Sequence, residues 1–524
     1  MLWIALHLPF LSLESFAATL VDGAGGVDAD PQIALVDEHR ISAANAAAQA
    51  QGVKPGLKRA TALALAPRIT LGQADPARDA EALLPVAHAA LAFTPQVSLQ
   101  PANEPGAASH TVLLEVQASL RYFGGLDALV RRLQQALAPL GHTLRIAVAT
   151  TAQGAAVLAR VEPPPRCLDL AATRAALAHA PVWLLGPGRE HWEALQGMGL
   201  RCIGDLLGLP RAGLARRFGE PLLAEIDSAF GRRPDPRVPI VAARLFESRI
   251  ELFARADSSE QVLQGAALLL ARLVLWLAAQ HSFVRRFRLL MHHETRWQQG
   301  DRTPQATALE IALAEPSRDS DHLLVLLRER LARLQLPAPT LELALQAEDI
   351  VKRAAPNSEL FPTRQSEDEG LTRLIERLQA RLGASQVQRL EAVDDHRPER
   401  ASRLRQVDAG ARPARPGQRG ARRVTARVSG EANVLAVSPR PVWIEPVCMP
   451  LAERRSRPLL EGRPLSLLSG PERIEAGWWD AGLAERDYFI AEAADGALVW
   501  IYRARLPLSA EARESGWFLH GRFG

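Results

Sequence analysis

Asp394-Asp395-His396 sets two carboxylates beside an imidazole, residue types that could serve metal or hydrolytic chemistry. No second ligand group stands at a usable spacing from them, so turn and helix-cap roles account for these acids. Cys167, Cys202 and Cys448 are odd in number and far apart, with no CxxC or Cys/His cluster; neither a disulfide framework nor a structural zinc site is indicated. The remaining candidates have the chemistry of phosphate contact. Gly186 and Gly188, in Leu185-Gly186-Pro187-Gly188, and Gly197 and Gly199, in Gly197-Met198-Gly199, stand at turns between short helices. Glycines there let backbone N–H groups approach a phosphate closely without reading base sequence, although two helix caps packing a small domain would use the same residues. Arg285, Arg286 and Arg288 lie in an alternating stretch whose Phe287, Leu289 and Met291 share one face, with Arg286 and Arg288 on the other. That arginine face suits adjacent phosphates, or simply water.

The elements that must position these groups follow from periodicity. Leu2 to His7 is an apolar run of strand length leading through Ser12-Leu13-Glu14 into Ala-rich sequence, and Ile33 to Val36 reads as a second strand. Ile41 to Pro67 is Ala-rich helical sequence broken by Gly52-Val53 and Pro55-Gly56. A helix around Ala80 to Ala92, a strand from Thr111, a helix Leu126 to Leu140 and a strand Thr143 to Ala149 complete a βαβ-like unit. From Ser248 to Ala347 the order is strand, helix, strand, strand, helix, strand, in the pieces 249–254, 259–279, 283–293, 306–314, 319–335 and 340–346. Leu371 to Leu390 reads as an amphipathic helix pair, and Ala409 to Arg423 as a Pro/Gly/Arg linker. The last hundred residues read as short strands and turns of a small antiparallel β domain. Its Trp478, Trp479, Tyr488, Trp500 and Trp517 would serve either a partner surface or the domain's own core.

A chain of 524 residues exceeds one core, and 48% hydrophobic with 23% charged residues is ordinary for a soluble multidomain protein. Net charge is +4, the pI is about 9.3, and lysine is confined to Lys54, Lys58 and Lys352. Such an Arg-rich surface suits a phosphate partner without requiring one, and Arg/Ala bias can also reflect genome composition. The N-terminus lacks the basic n-region of a signal peptide, and His7 and Glu14 interrupt it. No later run of membrane-spanning length lacks charges, so a cytoplasmic protein in a reducing compartment is expected.

The first fourteen residues, MLWIALHLPFLSLE, resemble the opening strand of the Y-family, or translesion, DNA polymerases, which carries metal-binding Asp, a spacer, Asp, an aromatic pair and a Ser-Val-Glu tail. With the tail registered on Ser12-Leu13-Glu14, Phe10 takes the second aromatic position, Ala5 stands where the main catalytic Asp would be, and His7 takes the next acidic place. Counting back from Gly52-Val53 puts Ala46 and Gln49 where that family has the Tyr and Arg that hold the incoming triphosphate. A neutral amide is no substitute for the charged fork of an arginine. After Phe93-Thr94-Pro95-Gln96-Val97-Ser98 a polymerase would continue into Ser-hydrophobe-Asp-Glu, but a Pro/Gly/Ala loop intervenes. The frame kept without its carboxylates, together with Asp394-Asp395-His396-Arg397-Pro398-Glu399 and the aromatic tail, resembles the ImuB family, the polymerase-like subunit of a bacterial mutagenesis complex.

That resemblance implies an α/β multidomain fold: a right hand of palm and fingers over 1–165 (fingers about 11–75), a helix-hairpin-helix thumb over 166–240 and a βαββαβ little finger over 241–350. Residues 351–423 would then carry a clamp motif, helices and a linker, and 424–524 a C-terminal β-rich interaction domain. It also implies a protein without enzymatic activity, cofactor or metal, because His7 alone cannot replace carboxylates that seat two magnesium ions. Its partners would be primer-template DNA bound independently of sequence, the β sliding clamp, an error-prone C-family polymerase and a RecA-like accessory subunit, at the nucleoid and not at a membrane. Asn357, Leu360 and Phe361 match a sliding-clamp ligand loosely. Two other readings stay open: an active translesion polymerase using displaced acids such as Glu104 or Glu115, and a DNA-binding protein with neither clamp nor polymerase partner.

Overall fold

The strand Trp3–His7 (β1) alternates between two apolar cores, Ile4 and Leu6 facing one and Ala5 the other, so it lies inside its sheet. The computed structural model of the chain describes residues 1–20, 31–102, 109–294, 305–352, 364–407, 439–441, 443–480, 482–505 and 516–523. Two units result, Met1–Arg381 and Leu382–Gly524. After α1 (Leu11–Ala17), the fingers comprise β2 (Ile33–Asp37), β3 (Arg40–Ala44), α2 (Ala46–Ala50), α3 (Arg59–Leu65) and β4 (Thr70–Gln73). Their three strands, in the order β3-β2-β4, enclose a small core around Val36, Ile41 and Val53. Helix α4 (Pro76–Leu91), capped by Asp75, leads back to the palm. There β5 (Val97–Leu99), β6 (Thr111–Glu115), α5 (Leu120–Phe123), α6 (Leu126–Leu137) and β7 (Arg145–Ala149) complete a sheet ordered β5-β6-β1-β7. Helices α4 and α6 cover its Ile4/Leu6 face, and α7 (Ala152–Leu158) covers the Ala5 face.

Six short helices of the thumb extend that second core: α8 (Leu170–His179), α9 (Gly186–Glu190), α10 (Trp192–Gly197), α11 (Ile203–Leu207), α12 (Arg211–Phe218) and α13 (Glu220–Ala229). The little finger follows as β8 (Phe246–Ala256), α14 (Ser259–Ala279), β9 (Ser282–His293), β10 (Ala306–Ser317), α15 (Ser320–Leu331) and β11 (Thr340–Lys352). This is the expected βαββαβ order, and its strands pair antiparallel as β10-β9-β11-β8. By length and composition α14 is apolar enough to cross a membrane, although Glu260 and Arg272 interrupt it. Its apolar surface is used twice. Leu269, Leu273 and Leu277 enter the little-finger core, while Ala271 and Leu275 enter the palm core. Arg272 is buried with them and donates to Ser248 Oγ at 3.0 Å and the Arg249 carbonyl at 3.2 Å. Helix α16 (Arg364–Leu382) also joins the little finger, where Glu376 accepts the Ala314 N–H at 2.6 Å and meets His322 Nε2 at 2.8 Å.

The expected helix pair over Leu371–Leu390 is one helix only. Gly383 ends it at φ +100°, and β12 (Gln388–Ala392) then pairs with β13 (Ser402–Gln406), Leu390 opposite Leu404. The rest of the second unit is β14 (Trp443–Arg454), β15 (Arg457–Leu460), β16 (Arg463–Pro464), β17 (Ser466–Ala476), β18 (Ala484–Glu492), β19 (Leu498–Ala504) and β20 (Trp517–Arg522). They form the expected antiparallel sheet, in the order β16-β15-β14-β20-β19-β18-β17. Val499, Ile501 and Leu519 build a core on one face, and Trp500, Tyr502 and Tyr488 a second core on the other.

Candidate functional site

Sheet register brings the degenerate palm positions together. Ala5 lies opposite Leu113 and Ala147 and is fully buried among apolar side chains. Two residues along, on the same face, His7 lies opposite Thr111 and Arg145, and its Nδ1 is 2.9 Å from Thr111 Oγ1. Burial first, then the charges of Arg160 and Arg145 and the neighbouring His110, lower the His7 pKa from 6.5 to about 4, so the imidazole is neutral at pH 7. Gln100 extends the row beyond Thr111, its N–H bonding the Thr111 carbonyl at 3.0 Å. Sequence reasoning missed Gln100. The signal was present: Ser98-Leu99-Gln100-Pro101 is Ser-hydrophobe-acid-acid with both acids replaced, but the long loop after Pro101 drew attention to Glu104 instead.

His7, Thr111 and Gln100 border a cleft of about 270 Å³ between palm and thumb, lined also by Gln153, Arg160, Arg189 and Glu225. A hydrogen-bond chain runs along its wall. Gln100 Nε2 donates to Gln153 Oε1 at 3.0 Å, and Gln153 Nε2 donates to Glu225 Oε1 at 2.7 Å. Arg237 inserts a guanidinium, donating to Gln100 Oε1 at 2.8 Å, Gln153 Oε1 at 2.9 Å and Asp235 at 2.6 Å. Burial raises the Glu225 pKa against the lowering effect of the Gly186 N–H, Arg160 and Gln153. Magnesium takes hard oxygen ligands, and a two-ion centre needs several carboxylates converging on one point. Imidazole, two amides, a single carboxylate and the guanidinium groups of Arg160 and Arg189 do not fit that requirement. Of the displaced acids, Glu115 pairs with Trp3 at the far end of β1, four residues and roughly 13 Å from the His7 row; Glu104 lies outside the described residues. Ala46 and Gln49 are on α2, where the Gln49 amide turns back to the Ala44 carbonyl at 2.7 Å.

The expected turn glycines are largely helical: Gly186 and Gly188 lie in α9, Gly197 ends α10, and Gly199 follows it with its N–H on the Gln196 carbonyl at 2.9 Å. Gly186 N–H donates to Glu225 Oε2 at 3.1 Å, and Gly188 is packed so tightly that a Cβ would strike the Val182 carbonyl. Gly197 and Gly199 are exposed, with open space around both and φ +80° at Gly199. Beyond them Asp205 accepts the N–H groups of Arg201 at 2.9 Å and Cys202 at 2.8 Å, capping α11 with its own carboxylate. On the little finger the expected alternation holds: Phe287, Leu289 and Met291 are buried, while Arg285 and Arg286 are exposed and Arg288 is half-buried. Glu310 lies between the arginines of the open face, 3.6 Å from Arg286 and 3.7 Å from Arg288, and that face is charge-mixed. Asn357, Leu360 and Phe361 lie outside the described residues.

The aromatics expected at a partner surface divide sharply. Tyr488, Trp500 and Trp517 are interior, at 1%, 1% and 5% exposure, and are corrected from surface to core: the alternating strands that carry them are covered on both faces. Trp478 and Trp479 are exposed at 78% and 52% in the β17–β18 turn. Arg397 holds this turn. Its guanidinium bonds Asp480 at 2.7 Å and the Gly482 carbonyl at 2.8 Å, stacks 5.5 Å from the Trp479 ring centroid, and is itself fixed by Asp395 at 2.7 Å. Asp480 is consequently held well below the usual carboxylate range. The acids of Asp394-Asp395-His396 therefore act structurally through Asp395, as the sequence reading expected.

No family model matches the chain. Over 488 residues it is 30% identical to Protein ImuB of Caulobacter vibrioides, in each of two strains, an alignment spanning 90% of this chain and 100% of that protein. Solved structures that resemble it include the insertion ternary complex of Dbh DNA polymerase, with 13% identity and a TM-score of 0.37, covering 67% of this chain and 100% of that one. DinB from Sulfolobus solfataricus shows 12% identity and a TM-score of 0.35 over the same shares.

Proposed function

The chain belongs to the ImuB family, and from that premise we propose that it is a polymerase-shaped adaptor that holds DNA and other proteins without transferring nucleotides. The palm row carries this reading: Ala5 in an apolar core, neutral His7, and Gln100 tied to Gln153 and Arg237. In place of an oxygen cage for cations, the cleft is lined by cations of its own, Arg160 and Arg189. The adaptor binds primer-template independently of sequence and engages the β sliding clamp through Asn357-Ser358-Glu359-Leu360-Phe361. Its C-terminal unit brings an error-prone C-family polymerase and a RecA-like accessory protein to damaged DNA, in the cytoplasm at the nucleoid. Trp478 and Trp479 are the aromatics of that unit best exposed for such contacts among those singled out.

Primer extension tests the central statement. Purified full-length protein with magnesium or manganese, primer-template and all four nucleotides is expected to add no nucleotide. Extension that vanishes in the Glu225→Gln variant would establish instead an active polymerase using the carboxylate that lines the cleft.

A further inference from the structure

Loss of the palm carboxylates alone would leave a neutral cleft, yet the cleft between palm and thumb is lined by two guanidiniums. Arg160 comes from the turn just after α7 and Arg189 from α9, and among the described residues Glu225 is the one carboxylate beside them. Glu225 is already engaged, accepting from Gln153 Nε2 at 2.7 Å and from the Gly186 N–H at 3.1 Å. Arg160 is half-buried and anchored, its Nη1 donating to the Leu184 carbonyl at 2.6 Å. Among the described residues that is its one hydrogen bond, so most of its fork has no protein acceptor. Burial first, and then the charge of Arg189, lower the Arg160 pKa, with Glu225 acting against them. Two like charges are thus held together where Ala156, Val157 and Leu184 limit hydration, a repulsion that a bound anion relieves.

We propose that this cleft binds a small inorganic phosphate anion, pyrophosphate or orthophosphate, between Arg160 and Arg189 and without a metal ion. This rests on the non-catalytic reading of the palm above and gives the same cleft a ligand. Guanidinium forks match the paired oxygens of a phosphate, and a charge-assisted bond there needs no divalent ion to bridge like charges. At about 270 Å³ the space is far above the ~15 Å³ that admits a single water. The lining selects against a nucleotide. No Phe, Tyr or Trp among the described residues borders the cleft to stack a base, and the fingers, with Ala46 and Gln49 on α2, contribute none of its walls.

Isothermal titration of the full-length protein with pyrophosphate, in EDTA and at an ionic strength held constant with chloride, is expected to reveal one saturable site. Opposite changes of charge should move its affinity in opposite directions. Arg189 is exposed, so Arg189→Ala leaves the fold intact, and it is expected to weaken binding at least tenfold. Glu225→Gln removes the one carboxylate while keeping an amide oxygen for the Gly186 N–H, and is expected to tighten binding at least threefold. The little-finger variant Arg286→Ala, Arg288→Ala should bind as the unaltered protein does. Unchanged affinity in Arg189→Ala, or no tightening in Glu225→Gln, overturns the site. Non-saturable binding, or an equal loss in the little-finger variant, overturns it in favour of diffuse attraction to an Arg-rich surface. Tighter binding of dATP than of pyrophosphate overturns the inorganic ligand in favour of a nucleotide. Absence of binding in EDTA also overturns the site: if primer extension stays silent the adaptor reading survives, and if extension occurs both fall.

Discussion

His7 condenses the proposed change of role at the palm into one side chain. A residue at a catalytic row would be tuned to hold metal or move protons near neutrality, whereas burial and neighbouring cations push this imidazole down to about 4. The sign of the consequence follows from linkage. Between 6.5 and about 4 the unfolded chain binds the proton that folded His7 refuses, so stability falls as pH drops through that window. His88 and His520, also lowered to about 4 by burial, act in the same direction. Urea midpoints measured from pH 7 to pH 4.5 are expected to decline, and the decline should be shallower in His7→Gln, by at most about 1.4 kcal/mol per pH unit. At this scale the sequence was legible wherever identity alone decides: missing acids at positions 5 and 7 need no coordinates. It was not legible where a partner decides. That Arg237 would reach Gln100 across 137 residues has no local signature.

Elements were legible in proportion to how one-sided their burial is. The little finger, with one face of its sheet packed on helices, has alternation clean enough that α14 runs from Ser259 to Ala279 as expected and β9 differs from expectation by one residue. The C-terminal sheet is packed on both faces, so alternation could not separate Trp500 and Tyr488 from truly exposed aromatics such as Trp478. Two measurements belong to this scale. Replacing Arg286 and Arg288 by alanine should weaken DNA binding and reduce the slope of log affinity against log salt by roughly 2 if each meets one phosphate. An unchanged slope assigns that face to solvent. In the C-terminal unit, Arg397→Lys keeps the charge but loses the planar fork that reaches Asp395, Asp480 and Gly482 together. Tryptophan emission should shift to the red and the β17–β18 turn should become more sensitive to protease, while far-ultraviolet circular dichroism stays unchanged.

For the whole molecule, an adaptor is defined by what it holds. Substituting Leu360 and Phe361 with alanine is expected to abolish co-elution with the β clamp and to spare DNA affinity, and persistence of the complex would remove this segment as the clamp ligand. Domain order was readable because each part of the hand has its own periodicity, but the joints between parts were not. The longest helix makes this plain: one row of α14 belongs to the little-finger core and another to the palm core. A part spliced into its neighbour by a shared rod has no hinge at that point. The spacing of the little finger from the palm is therefore set as the chain folds.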